Sequence, residues 1–507
     1  MGKLTTVVDN IVALLMRQVL TWTLTAILMV FFLPRYLGDE GLGKVTFAVS
    51  LITMLLVLTN LGTATFTVKQ VALDRARVSE LLWNAYAIRA LTAIPIGAVV
   101  ASVTRLVPLD SDAKAVLYLA SATMVVMALD KAQVAAIQGL EKMRWLGAAE
   151  VANKATVMAL GIALLVTGHG VVSYAVVLAV GAAVSFVVNG SYLAWRYLRW
   201  PRFSLGVIKV LLMGGFPFLI TGALGQVYIW MDVFIVRVMT RDEVVGWLGA
   251  AEQLYATFNV VPLVIATAIL PALTRLHVED MEAMGTAVRR SLQAVLVTGV
   301  PLALALMLLS GDVIHFLRYP SEFSRSIPLL AIISFNVPVT GTLMVIGTVV
   351  IAANQQKRWA FAMFLTTALS LVIDPGLVLA FDRLYDNGAI GAVASTVITE
   401  AFMINIGLRL MPKGLIDRSV VPMLLRTFSA ALVMAGVMGA AKLLLDPGLV
   451  PLVLIGAPTY GLALLANGGV TIGELKLLTS IAFGRGRLRE PGLAGDVASP
   501  YVTAEGA

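Results

Sequence analysis

The sequence predicts an all-α polytopic membrane protein of about fourteen transmembrane helices, built as two six-helix lobes in parallel repeat with an extra C-terminal helix pair. Three observations predict it. Apolar residues make up 59% of the chain and charged residues 13%, with a mean hydropathy of +0.92, a balance foreign to water-soluble globules. Apolar windows of about twenty residues, enough to cross a hydrocarbon core of about 30 Å, recur along nearly the whole length. An Asp-Glu-x-x-Gly turn entering a long apolar helix occurs twice, in LGDEGLGKVTFAVS from Leu37 and in TRDEVVGWLGAAEQ from Thr240.

The first group of spans covers about 8–33, 44–69, 82–104, 114–138, 145–167, 171–194 and 209–238. The second covers about 244–274, 288–310, 327–353, 359–381, 387–410, 421–445 and 449–466. The first span is too long for a signal-peptide core and lacks a small-residue cleavage site before its polar exit PRYLGDE, so it is expected to remain as a helix. Helices 7 to 10 carry Gly214-Gly215, Pro217, Pro262, Pro271, Pro301 and Pro338, residues that bend membrane helices where neighbours satisfy the freed backbone groups.

The repeat sets the organisation. Asp39, Glu40, Gly43, Ala48 and Leu55 share their offsets with Asp242, Glu243, Gly246, Ala251 and Phe258. One six-helix unit ends near Trp200 and the next near Met411, and the even count gives both the same orientation, a transporter pattern. The acidic pair complements a helix dipole and the glycine permits a tight entry or close packing, so the motif's expected role is architectural. The units are residues 1–203, 204–412, 413–483 (helices 13 and 14 with an amphipathic inner-surface helix) and a tail at 484–507 expected to be disordered. VEDMEAMGTAVRR, at about 278–290, reads as an amphipathic surface helix joining helices 8 and 9.

With the N-terminus inside, about 23 of the 37 Lys and Arg residues fall in inner segments and about 10 in outer loops. Both termini are therefore expected in the cytoplasm. The net charge of +8 then needs no nucleic-acid partner, because clusters such as Arg196, Arg199, Arg202 and Lys209 would face anionic lipid. The chain has no cysteine, and His169, His277 and His315 lie far apart, so no disulfide, thiolate site or transition-metal site is expected. It carries neither a phosphate-binding Walker loop nor a G-x-S-x-G elbow, and no long outer loop of the kind membrane-embedded ligases and polymerases use. The expectation is a secondary transporter and not an enzyme.

Four stretches carry a resemblance: PRYLGDEGLGKVTFAVSLITMLLVLTNLG from Pro34, AAIQGLEKMRW from Ala135, GGFPFLITGALGQVYIWMDVFIVRVMTRDEVVGWLGAAEQL from Gly214 and ATAILPALTRLHVED from Ala266. Through them the sequence resembles the polysaccharide transporter and oligosaccharide flippase family of the multidrug/oligosaccharidyl-lipid/polysaccharide exporter superfamily, over about residues 5–480. Asp232, Gly246 to Ala251 and Leu270 to Arg275 match that family's pattern on helices 7 and 8. The Ser-Arg-x-x-Gly style signature of the lipid II flippase branch is absent from helix 1. The resemblance implies two lobes around a central cavity, alternating access, and a polyprenyl-diphosphate-linked oligosaccharide carried from the inner to the outer leaflet of a prokaryotic inner membrane. Its implied alternatives are a lipid II flippase and a cation-coupled multidrug antiporter. Expected partners are the lipid-linked sugar, membrane lipid and a polysaccharide polymerase or assembly complex; no organic cofactor is expected, with Na⁺ or H⁺ as coupling ion.

The depths of the intramembrane charges point to sites, since an ionisable group there is costly unless it functions or is paired. At about 1.5 Å per residue, Arg17 lies ~13 Å and Arg89 ~10 Å from the inner helix ends, and Lys131 and Lys154 come out similarly. Arg17 also heads a polar stripe with Thr21 and Thr25. Arg17, Arg89, Lys131, Lys154 and Thr21 are the expected cargo-binding set, with snorkelling and a Glu150 to Lys154 pair as the competing readings. In the second lobe Asp232, Glu252 and Asp374 lie ~9 to 12 Å from the outer surface, with Ser370 and Thr396 at similar depth. These five are the expected coupling-cation set.

Overall fold

The computed structural model describes residues 20–417 and 420–470. Among them every regular element is helical. The N-terminal lobe comprises α1 (Leu20–Asn60), α2 (Thr63–Leu73), α3 (Val78–Leu106), α4 (Ser111–Gly139), α5 (Met143–Val166) and α6 (Val171–Arg196). The C-terminal lobe comprises α7 (Leu205–Met239), α8 (Asp242–Phe258), α9 (Val260–Glu279), α10 (Met281–Phe316), α11 (Ser326–Ile333), α12 (Asn336–Ala352), α13 (Gln356–Tyr385) and α14 (Ala389–Leu410). A further pair, α15 (Val420–Leu445) and α16 (Leu449–Ala466), packs against α10.

Twelve described helices are long and apolar enough to cross a membrane, or thirteen spans when α11 and α12, bent by 45°, count as one. The 41 residues of α1 would run about 60 Å as one straight helix, twice the hydrocarbon thickness. The chain breaks them at Gly38 (φ +67°, ψ −176°), a left-handed conformation that suits glycine. The resulting two arms bring the spans into agreement with the fourteen expected. Ile27–Phe32 in the first arm winds as a π-helix, the wider turn often found at functional sites.

The second arm of α1 packs against α7 and α8 across the lobes, and here the repeated turn finds its purpose. A Cβ on Gly43 would lie 1.8 Å from the carbonyl oxygen of Asp242, and one on Gly246 would lie 1.9 Å from that of Asp39. Each copy of the motif thus supplies the glycine that admits the other's backbone, a reciprocal contact of the kind two-fold interfaces make. Trp247 Nε1 donates to Asp39 Oδ2 at 2.8 Å, and Tyr319 Oη donates to the carbonyl of Val30 at 2.5 Å. Lys44 is held between Glu40 (2.6 Å) and Asp110 (2.7 Å), while Arg237 pairs with Asp242 at 2.5 Å. Burial disfavours the charged form of Asp110, but Lys44 and the Ala113 N–H outweigh it and hold that carboxyl below its ordinary value. We refer to this closed end, the one expected to face outward, as the Asp39 end.

Two features differ from the sequence expectation. The stretch at 278–290 is no separate surface helix: Asp280 accepts from the N–H groups of Glu282 and Ala283 and so starts α10, which runs on unbroken. Its apolar face, with Met284 and Val288, is buried in the lobe. The glycine pair Gly214-Gly215 leaves α7 continuous and instead admits the N-terminal lobe, since Cβ atoms there would meet Phe66 at 2.3 Å and the Leu61 carbonyl at 2.8 Å. Of the unit expected at 413–483, α15 and α16 are described; the remainder past 470 and the tail from 484 lie outside the described residues.

Candidate functional site

A cavity of about 620 Å³ opens inside the N-terminal lobe. Both arms of α1 form one wall with Thr25, Leu28 and Thr53, while α4, α5 and α6 form the others. Helical spacing aims several polar groups of α4 and α5 inward: Asp130, Lys131 and Gln138 from α4, and Glu150, Asn153 and Lys154 from α5. Lys131 is exposed to this space, and Lys154 lies close enough to both Lys131 and Glu150 to interact electrostatically with them. Asp130 is 9% exposed and accepts from Ser185 Oγ and Asn189 Nδ2, each at 2.9 Å. Asn153 is fixed by donating to the Gly181 carbonyl at 2.7 Å.

The structure thus brings Lys131 and Lys154 together. Thr21 is 1% exposed, and its carbonyl accepts from the hydroxyl of Thr25, the stripe residue that lines the cavity. Arg17 lies outside the described residues. Arg89 is set behind the cavity, 1% exposed, donating to the Ala128 carbonyl and to Asn60 Oδ1, both at 2.8 Å. Asn60 also accepts from the Ala64 N–H at 2.9 Å, so Arg89 braces the break between α1 and α2, where Leu61 and Gly62 both have positive φ. Gly62 is required there because a Cβ would lie 2.0 Å from the Gly215 carbonyl oxygen.

Of the cavity's two carboxylates, sequence reading named Glu150 as a partner for Lys154 and missed Asp130. Asp130 sits next to Lys131 in the same span and was legible as an intramembrane charge, but its pairing with Ser185 and Asn189 depends on α6 lying alongside α4. With two ammonium groups, two carboxylates and three amides, the cavity offers charge partners for phosphate oxygens and hydrogen-bond partners for hydroxyls.

The C-terminal lobe gathers the expected acidic set. Asp374 is fully buried and accepts from Ser370 Oγ at 2.5 Å and from Ser395 Oγ. Ser370 and Asp374 stand one turn apart on α13. Thr396 Oγ1 on α14 donates to Asp232 Oδ2 on α7 at 2.6 Å, and Asp232 in turn neighbours both Asp374 and Glu252. Asp232, Asp374, Ser370 and Thr396 therefore form one cluster, with Glu252 on α8 beside it. Ser395, which sequence reading places at the same depth as Thr396, is a direct partner of Asp374; Glu400, a buried carboxylate on α14 one turn beyond Thr396, was missed.

The family model described as polysaccharide biosynthesis protein matches residues 7–277. The probable low-salt glycan biosynthesis flippase Agl15 of Haloferax volcanii is 22% identical over 178 residues, 35% of this chain and 36% of its own length. The probable lipid II flippase MurJ of Rhizobium tropici is 27% identical over 191 residues, 36% of this chain and 35% of its own. The chain thus spans about a third of the length of these curated relatives. Among solved structures, the lipid II flippase MurJ in an inward closed conformation aligns over 94% of this chain and 99% of its own, with a TM-score of 0.69 and 15% identity. An inward-facing multidrug resistance MATE family transporter of the MOP superfamily aligns over 77% of this chain and 94% of its own, with a TM-score of 0.63 and 15% identity. At such identities the likeness is one of fold.

Proposed function

From the premise that the chain belongs to the polysaccharide biosynthesis protein family, we propose that it is a flippase that carries a polyprenyl-diphosphate-linked oligosaccharide between membrane leaflets by alternating access. The observation that carries this reading is the pairing of Lys131 and Lys154 in one cavity with Asp130, Glu150, Asn153 and Asn189. Ammonium groups are point-charge partners for a diphosphate, and the carboxylates and amides suit the hydroxyls of a glycan. No covalent chemistry is required: the two lobes rock about the cargo and expose it to one leaflet and then the other.

In this reading both termini face the cytoplasm of a prokaryote, and cargo moves from the inner to the outer leaflet of the inner membrane, where a polymerase takes it up. The Asp232–Asp374 cluster binds Na⁺ or H⁺, because buried carboxylates with hydroxyl donors and no basic partner among the described residues favour a cation. The missing helix-1 signature favours a polysaccharide repeat unit over lipid II as cargo.

Native mass spectrometry of the purified protein with an undecaprenyl-diphosphate-linked sugar tests the cargo site. Wild type is expected to retain that lipid in preference to undecaprenol. Lys131→Ala/Lys154→Ala is expected to retain at least about 100-fold less, since two hydrogen bonds to charged groups are worth about 3 kcal/mol or more. Equal retention by both proteins would refute the site.

A further inference from the structure

Glu400 on α14 is 7% exposed in the interior of the C-terminal lobe, about one turn deeper than Thr396. Both of its carboxylate oxygens lie against a single hydroxyl, Thr340 Oγ1 of α12, at 2.8 and 2.7 Å. That hydroxyl lies 2.6 Å from the hydroxyl of Tyr255 on α8. Tyr228 on α7 neighbours Glu400, Asp232, Thr399 and Tyr255, and its own hydroxyl is buried with no hydrogen-bond partner among the described residues. One turn before Thr340 on α12, where the chain restarts after the break at Ser334 and Phe335, Asn336 is fully buried with both amide atoms likewise unpartnered.

Charge makes this arrangement unusual. The helices packed on α14 are α7, α8, α11, α12 and α13, and the acidic and phenolic groups they direct toward this region are Tyr228, Asp232, Glu252, Tyr255 and Asp374. The basic residues on these helices and on α14, Lys209, Arg237, Lys357, Arg358, Arg383 and Arg409, all lie within five residues of a helix end. An ionised Glu400 would thus be a buried charge without a counter-ion, which costs several kcal/mol. The hydroxyl chain offers a way out, because hydroxyls donate or accept in either sense. With Glu400 ionised, Tyr255 donates to Thr340 and Thr340 to the carboxylate; with Glu400 protonated, the carboxyl donates to Thr340 and Thr340 to Tyr255.

We propose that Glu400, with Thr340, Tyr255 and Tyr228, is a proton-binding station separate from the Asp232–Asp374 cluster, and that its loading biases the relative position of the two lobes. The step is a simple exchange: the Glu400 carboxylate takes a proton from hydronium, leaving water, and on the opposite side of the cycle returns it to water. One carboxylate closed off by a single hydroxyl suits a proton better than a metal ion, which needs several oxygen ligands. The link to the lobes runs through Tyr255, one turn before α8 gives way to α9 at Asn259, on the helix whose first turns carry the Gly246 contact. The inference rests on the reading of the chain as a two-lobe transporter and not on its cargo.

Because the chain has no cysteine, spin labels can be placed cleanly at Asp112→Cys and Glu322→Cys, exposed positions of the two lobes at the Asp39 end. Electron–electron distance measurements in lipid nanodiscs without cargo, from about pH 5 to 9 around the ordinary carboxyl and solution range, read the response. Wild type is expected to change its distance distribution with pH. Glu400→Gln is expected to hold the low-pH distribution throughout, while Glu279→Gln, an exposed carboxylate outside the lobe interior, keeps the response. Thr340→Val, which retains the carboxyl, is expected to displace the midpoint and so guards against a Glu400→Gln variant that fails to fold. A wild-type pH response surviving in Glu400→Gln, or no response in wild type, would overturn the proposal. Loss of cargo binding in a protein that keeps the response would sink the cargo reading alone.

Discussion

Gly246→Ala is expected to drive the lobes apart at the Asp39 end. The added methyl would sit 1.9 Å from a backbone oxygen, that of Asp39, and a backbone cannot swing aside as a long side chain can. Overpacking of this kind costs about 1–3 kcal/mol, and every 1.4 kcal/mol moves a two-state equilibrium tenfold. The population closed at this end should therefore fall by roughly 5- to 150-fold relative to the open one. Gly43→Ala should act in the same direction, since its methyl would sit 1.8 Å from the Asp242 oxygen. Gly436→Ala, on α15 with nothing within 4 Å of the new methyl, should change nothing. The Asp112/Glu322 label pair reports the separation, and an unchanged distribution in Gly246→Ala would show that the reciprocal contact does not close this end.

Asp374→Asn is expected to abolish the stabilisation by Na⁺ that the proposed cation site predicts. Asp374 is fully buried, with two serine hydroxyls on its oxygens and Asp232 beside it. The amide keeps the shape but removes the charge that would hold a cation. A ligand that binds only the folded state stabilises it by RT ln(1 + [L]/Kd), about 2.7 kcal/mol at a hundred times Kd. Wild type should melt at higher temperature as Na⁺ is raised at fixed pH, and the variant should be flat to the same titration. An Asp374→Asn protein that keeps the full wild-type shift would place the cation elsewhere.

Much of the fold was legible because the membrane reduces the problem to apolar length. The spans and the repeated turn followed from that and from two aligned motifs. The breaks were legible only in part. The chain breaks at Leu61 and Gly62, which sequence reading did not mark, and bends by 45° at Ser334 and Phe335, where the marked Pro338 cannot bond back to the Ser334 carbonyl, while α7 stays continuous through Gly214-Gly215. The first of these breaks is braced by the bonds from Arg89 to Asn60 and Ala128, groups distant in sequence. Depth could likewise be counted from the helical rise, whereas direction around the helix could not. Arg89 and Lys131 were assigned similar depths, but Lys131 faces the cavity and Arg89 faces the packed interior. The acidic cluster emerged more fully because Ser370 and Asp374 share a face of one helix. Glu400 was missed because its partners, Thr340 and Tyr255, come from helices whose adjacency only the folded lobe displays.

The most direct test of the central claim is flipping itself. The protein is reconstituted in proteoliposomes with a fluorescent undecaprenyl-diphosphate-linked sugar, and the fraction of probe reaching the opposite leaflet is followed with a membrane-impermeant quencher. Wild type should flip the probe well above protein-free vesicles, and Lys131→Ala/Lys154→Ala at matched reconstitution should fall to near that background. No flipping by wild type, or undiminished flipping by the double variant, would contradict the account.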